Sequence, residues 1–304
     1  MNGQPSVRVN APTERRNPDT TEIDLLPTAE ILRLLNAEDR KVPEAVGQVL
    51  PELARAVDMA VERLRGGGRI HYIGAGTSGR LAVLDAAELV PTYNAPPDWF
   101  VAHQAGGAQA FQRAVENAED DTDAGAALVD AEISESDFVL GLTASGRTPY
   151  VLGALEAARE LGAATVLVSS NPERTESSPA EVVVALDTGP EPVTGSTRMK
   201  AGSAQKLVLS SFSTAVMVRL GRTYSNLMVS LVATNSKLRG RTLTILREAT
   251  GAEEHACEDA LAAADGDLKT ALVHLLGGTS IERAGELITA HNGHVRGALH
   301  ALHD

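Results

Sequence analysis

The stretch that most restricts the fold is Ile70 to Gly79, Ile-His-Tyr-Ile-Gly-Ala-Gly-Thr-Ser-Gly, where an apolar strand runs straight into a glycine, threonine and serine turn ahead of a helical pattern. Gly74, Gly76 and Gly79 let the backbone come close to an anion, and the first N–H groups of the following helix attract negative charge. The arrangement predicts a phosphate cradle. Its letters also spell GxGxxG, the dinucleotide fingerprint when a strand and a helix flank it, so the two readings must be separated by the rest of the chain.

From residue 69 to about 220 short apolar runs alternate with helical stretches. Residues 69–73, 99–103, 138–143, 165–169 and 182–186 read as strands. Alternation at this pitch predicts βαβ units and an α/β fold with a doubly wound, mostly parallel sheet covered on both faces. Ahead of it, residues 1–21 are polar and predict a flexible or draped arm, and residues 22–56 carry helical stripes in which Pro51 begins or kinks a helix. The α/β domain is expected over 57–235. Residues 236–304 turn fully helical, in short segments broken by Gly or Gly-Asp, and predict a small all-helical domain.

The chain has 304 residues, 43% of them apolar, enough to bury a full core. A formal charge of −13 leaves no basic excess with which to neutralise a polyanion, so neither nucleic acid nor an anionic membrane is an expected partner. One small phosphorylated molecule remains compatible. The single cysteine, Cys257, permits no intrachain disulfide, and no apolar run reaches the ~18 residues of a membrane span, so a cytoplasmic protein is expected.

The dinucleotide reading requires a carboxylate ~20 residues on, at the end of the second strand. That strand ends in His103-Gln104, so the requirement fails, and no Gly-Lys-Ser/Thr supports a Walker loop. The histidine pairs 291/294 and 300/303 have helical spacing without organised carboxylates or cysteines, so no metal is expected. A second strand, 138–143, leads into Thr-Ala-Ser-Gly-Arg-Thr at 143–148, an echo of Gly-Thr-Ser-Gly-Arg at 76–80. Ligands of open α/β sheets sit beyond the carboxyl ends of strands, so two such loops can grip one phosphate from two sides. A third polar loop, Thr194 to Lys200, precedes a long helix. Ser78 and Ser145 have no recognisable histidine and carboxylate partners and read as hydrogen-bond donors, not nucleophiles. On local pattern, Glu88 and Glu119, the latter placed at the end of a helix carrying Phe111 and Val115, read as surface glutamates.

The stretches GAGTSGRLAVLDAAE (74–88), AVENAEDD (114–121), TASGRTPYV (143–151) and VTGSTRMKAGSAQKLVL (193–209) closely resemble the N-acetylmuramic acid 6-phosphate etherases, and the likeness runs from about Thr13 onward. The resemblance implies a sugar isomerase (SIS) domain that works without cofactor or metal, a homodimer, and cleavage of a lactyl ether to give N-acetylglucosamine 6-phosphate and D-lactate. It implies Glu88 as catalytic acid and Glu119 as the second catalytic carboxylate, the base. Substrate binding would fall to Gly76, Thr77, Ser78, Gly79, Ser145, Gly146 and Thr148, with Ser196, Thr197 and Lys200 added from the third loop. Two other readings share the fold: a non-catalytic phosphosugar sensor resembling glucokinase regulatory protein, and an aldose-ketose phosphosugar isomerase. Ala87, Leu89-Val90 and Asn117 depart from the family pattern of Ser, Cys-Pro and Gly. Residues 250–271 resemble a ubiquitin-associated-type helical module, implying a packing element.

Overall fold

A computed structural model describes residues 11–113, 115–231 and 236–302. Chain contacts divide into two compact units: residues up to Ala86 with Asp98–Phe212, and Ala87–Pro97 with residues from Ser213 on.

The first unit opens with helices α1 (Thr28–Asp39), α2 (Lys41–Gly47) and α3 (Leu50–Arg65). Pro51 stands in the first turn of α3, where its missing N–H costs nothing, so it starts this helix instead of kinking a longer one. Leu53, Ala56, Val57, Ala60, Val61 and Leu64 form the buried stripe of α3. The sheet follows: β1 (Ile70–Gly74), α4 (Gly76–Tyr93), β2 (Phe100–Gln104), α5 (Thr122–Glu132), β3 (Phe138–Thr143), α6 (Pro149–Leu161), β4 (Ala164–Ser169), β5 (Val182–Ala185) and α7 (Lys200–Arg219), the ends of α4 from Ala87 and of α7 from Ser213 being counted with the second unit. All five strands are parallel, in the order β2-β1-β3-β4-β5. Each predicted strand is present, and β1, β3 and β4 are buried along their whole length, as strands covered on both faces must be.

Alternate residues define the two faces. Ile73, Val139 and Leu167 pack with Val151, Leu155 and Ala158 of α6 and with Val129 of α5. On the other face Tyr72 and Phe138 meet Phe212 of α7, at ring separations of 6.2 Å and 5.5 Å, and the Tyr72 hydroxyl donates to Asp85 of α4 at 3.0 Å. Thus α4 and α6, which follow neighbouring strands, lie on opposite faces. A parallel sheet that winds outward in both directions from its centre requires this.

Residues 11–20, inside the predicted flexible arm, are tied down. Asn17 donates to Glu38 at 2.8 Å and to the carbonyl of Pro190, while the Thr20 hydroxyl donates to the carbonyl of Pro192. Of the two alternatives, residues 11–20 are draped: their polar groups are used in tertiary hydrogen bonds.

The second unit contains a two-strand ribbon, β6 (Thr223–Tyr224) with β7 (Leu227–Met228), and helices α8 (Ser236–Thr250), α9 (Glu254–Ala263), α10 (Leu268–Gly277), α11 (Ile281–Ala290) and α12 (Val295–His300). Leu246, Cys257, Leu272, Val273 and Ala284 lie at its core. The breaks are chemical: Asp267 accepts from the Thr270 N–H and Ser280 from the Arg283 N–H, capping α10 and α11. Among the described residues, no helix is long and apolar enough to cross a membrane.

A titratable group lies inside the sheet among the buried polar residues of its strands. His71 is fully buried, 2.9 Å from His103 through its Nδ1, with its Nε2 3.5 Å from Asp137. Burial first, then the neighbouring His103, pushes its pKa down from 6.5 to about 4, while Asp137 opposes the shift. The unfolded chain therefore takes up a proton that the folded sheet resists. This stability contribution is complete above pH 6.5 and is lost as pH falls from 6.5 toward about 4. We predict that the melting temperature drops through this window and that His71→Gln flattens the drop; an equal slope in the variant would assign it to other groups.

Candidate active site

The strand order reverses between β1 and β3. β1 sends its chain outward to β2, and β3 sends its chain the other way to β4. Ligands of open α/β sheets settle at such a switch point, beyond the carboxyl ends of the two strands. Gly74 pairs with Leu142, so the loops after β1 and β3 leave the sheet side by side. These are the two Ser-Gly-Arg segments of the sequence.

They differ in form. The first is already helical: α4 begins at Gly76, so Thr77, Ser78 and Gly79 form its first turn; the Gly79 N–H donates to the Ala75 carbonyl at 3.4 Å, while those of Thr77 and Ser78 have no earlier helical carbonyl to meet. A Cβ on Gly79 would lie 1.9 Å from Gln104 Oε1 and 2.8 Å from the Gly74 carbonyl. Only glycine lets this turn sit so low on the sheet. The second segment is a true loop before α6, with Gly146 at φ +69°. Thr143 Oγ1 lies 2.7 Å from Thr148 Oγ1 and 3.4 Å from Ser145 Oγ, and Asn171 Nδ2 donates to the Ser145 carbonyl at 2.8 Å.

Glu119 stands in a single turn, Ala118–Asp120, and not at the end of a helix. Gly106 and Gly107, both at positive φ, confine the segment before it to the short turn Gly107–Phe111; Ala114 lies outside the described residues. Asn117 adopts φ +64°, a left-handed conformation open to Asn as well as Gly, which explains how it stands where the family pattern has glycine. Arg80 donates to the carbonyls of Ala110 and Phe111, fixing this segment over the end of β2. Together they enclose a cavity of about 190 Å³ whose wall includes Gly76, Arg80, Gln104, Arg113 and Glu119. The glycine that opens the phosphate turn and one predicted catalytic carboxylate thus share one space.

Glu88 does not border that cavity. Helix α4 is unbroken from Gly76 to Tyr93, so Glu88 lies about 15 Å along it from Ser78. It is exposed. Thr77 borders a different depression, of about 390 Å³, with Arg198, Gly202 and Lys206. The third loop approaches there: a Cβ on Gly202 would be 3.2 Å from the Thr197 carbonyl and 3.5 Å from Thr77 Cγ2. Ser196 and Thr197 are partly exposed.

Lys200 requires a correction. Its side chain, 1% exposed, donates to Glu38 at 2.6 Å and is sealed from any ligand in solvent. Burial would raise the Glu38 carboxyl, but hydrogen bonds from Lys200, Lys41 and Asn17 overcome this and hold it below its usual range. Just beyond, the buried Glu191 carboxylate accepts from the Lys200 and Ala201 N–H groups at 2.9 Å, capping α7. Read in sequence, a lysine in a Ser-Thr-Arg-Met-Lys loop suits an anion; its true partner is 162 positions away.

Gln104, Asn171 and Gln205 were missed. Gln205 accepts from the Ser78 hydroxyl at 2.9 Å, and Gln104 Oε1 is buried beside Gly79 with no hydrogen-bond partner among the described residues. An amide carries no charge or motif, so only the folded proximity reveals it. Among the described residues, no group of three or more His, Cys, Asp or Glu could hold a metal ion.

Residues 52–159 match the family model of the glucokinase regulatory protein N-terminal SIS domain. With the parallel sheet and its paired loops, this defines an α/β protein of the SIS type. An N-acetylmuramic acid 6-phosphate etherase of Thermobifida fusca is 60% identical over 276 residues, 91% of this chain and 90% of the relative. One of Pectobacterium atrosepticum is 49% identical over 98% and 99% of the two chains. A solved phosphoheptose isomerase from Francisella tularensis is 20% identical at a TM-score of 0.48, covering 62% of this chain and 98% of its own. The chain belongs to the N-acetylmuramic acid 6-phosphate etherase family.

The buried Lys200–Glu38 pair has a measurable consequence. Lys200→Met removes the buried one of the two cations on Glu38 and leaves that carboxylate to Lys41 and Asn17; it should cost about 2–3 kcal/mol of stability, read in urea unfolding, whereas a surface phosphate ligand would lose affinity with its unfolding midpoint unchanged.

Proposed function

We propose that this enzyme cleaves the lactyl ether of N-acetylmuramic acid 6-phosphate, as a carbon-oxygen lyase, leaving N-acetylglucosamine 6-phosphate and D-lactate. The substrate comes from the family, and the roles of residues come from the site. The observation that carries the reading is the shared cavity of Gly76 and Glu119 at the β1/β3 switch point. A phosphosugar sensor would have use for the turn but none for a carboxylate beside it.

An ether is a poor leaving group unless the bond beside it is activated. Ring opening exposes an aldehyde at carbon 1 and makes the proton on carbon 2 acidic. A base removes that proton while an acid delivers one to the ether oxygen, D-lactate departs, and water adds across the new double bond. One carboxyl must be ionised and the other protonated when the substrate arrives. We assign Glu119 as base and Glu88 as acid. The amides of Gly76 to Ser78, with the side chains of Thr77 and Ser78 and with Ser145, Gly146 and Thr148, bind the phosphate, and Gly79 lets the turn sit low enough to do so; Ser196 and Thr197 border it more remotely.

Glu88 cannot act on the phosphosugar gripped by its own helix if about 15 Å of unbroken helix separates them, a span longer than the substrate's reach from phosphate to ether. We therefore assign Glu88 to the site of a second copy of the chain, in a homodimer. Leu84 and Val90, 52% and 41% exposed on α4 around Glu88, are apolar surface that such an interface would cover.

Purified protein should release D-lactate from N-acetylmuramic acid 6-phosphate, and Glu88→Gln and Glu119→Gln should each abolish turnover. Mixing these two inactive variants under subunit exchange should restore activity, because one site of the mixed dimer regains both carboxylates. Intact substrate after prolonged incubation would refute the function; active single variants would refute the roles; no rescue on mixing would refute the sharing.

A further inference from the structure

We infer that Gln205 is a positioning residue for the phosphosugar: its side-chain amide turns to release the Ser78 hydroxyl as a donor to the phosphate. The inference rests on the proposed phosphate site and goes beyond it.

In the structure the Ser78 hydroxyl is spent. It donates to Gln205 Oε1 at 2.9 Å, and a hydroxyl has only one hydrogen to give. Both residues are secluded, Ser78 at 7% and Gln205 at 1% exposure. Ser78 as found could only accept from a ligand, whereas a phosphate dianion offers only acceptors. At the same time Gln205 Nε2 is buried with no hydrogen-bond partner among the described residues. A buried N–H group left unpaired is costly, so this amide carries an unused donor next to a hydroxyl committed in the wrong direction.

A half-turn of the amide cures the direction of the bond without changing side-chain shape. Nε2 then donates to Ser78 Oγ, and the hydroxyl hydrogen is free to point at a phosphate oxygen. The orphan left behind is a carbonyl oxygen, which is tolerated unpaired better than an N–H. The mounting is firm enough for this: Gln205 rides on α7, whose first turn is held by the buried Glu191 carboxylate and by the Lys200 pair with Glu38. A plain staple between α4 and α7 would use the same bond, so the test must separate aiming from stapling.

Gln205→Glu does so. Ionised, the new carboxylate can only accept, so it locks the Ser78 hydroxyl away from the ligand; protonated, it can donate to Ser78 as the turned amide does. Titrating N-acetylglucosamine 6-phosphate into each protein by calorimetry, we expect the ratio of variant to wild-type Kd to be about tenfold or more near pH 8 and to shrink as pH falls toward about 5.5. The ratio removes the ligand's own titration. The second arm is Gln205→Met, expected to weaken binding about tenfold in the wild-type background and to have no effect when combined with Ser78→Ala. A pH-independent ratio, or a Met effect that persists on the Ser78→Ala background, would make Gln205 a staple only. If Gln205→Glu does not fold by circular dichroism, the Met cycle decides alone. Wild-type protein that fails to bind the phosphosugar overturns the functional reading together with this one; wild-type binding with unaffected variants overturns this one alone.

Discussion

The pairing of β1 with β3 is the constraint on which the site depends. Because these strands are direct neighbours and their chains depart in opposite directions, the crevice between their ends cannot be filled by a connecting helix. Several groups that could hold an anion are gathered at this crevice: the first turn of α4, the loop with Gly146, and the polar ends of β2 and β4 at Gln104 and Ser169 to Asn171. A net charge of −13 is no obstacle, because the attraction comes from backbone N–H groups and hydroxyls within a few ångströms.

A second polar centre supports the first without facing solvent. Glu38 draws together Asn17, Lys41 and Lys200, and Glu191 closes the start of α7. Buried ion pairs contribute little net stability over an apolar core, but they punish any arrangement that leaves one member unpaired. Here they specify where residues 11–20, α1 and the start of α7 must meet. The same α7 carries Gln205 to Ser78, so the rigidity of one centre sets the precision of the other.

Much of the architecture was legible in the chain. The five strands announce themselves as short, mostly apolar runs, and the C-terminal helices by Gly and Gly-Asp breaks such as Gly266-Asp267 and Gly278. What could not be read was set by distant partners or by local backbone freedom. The polarity of residues 11–20 suits a loose arm until Pro190 and Pro192 supply acceptors, and Lys200 suits an anion until Glu38 claims it. The segment before Glu119 has a helical apolar pattern, yet Gly106 and Gly107 turn it into short turns. The echo between residues 76–80 and 143–148 marked two loops, but only the strand order reveals that they are adjacent and that one is a helix start. No pattern marks Gln205, a polar residue in an ordinary helix, whose importance exists only beside Ser78.

The central claim is that one phosphate is held at the β1/β3 crevice. The most direct measurement is a crystal structure of the protein with N-acetylglucosamine 6-phosphate bound. The account predicts the phosphorus over the first turn of α4, with its oxygens accepting from the amides of Thr77 and Ser78 on one side and from the loop of Ser145 to Thr148 on the other. A phosphate found instead beyond β4 and β5, or in the second unit near Arg222 and Lys269, with the β1/β3 crevice empty, would contradict it.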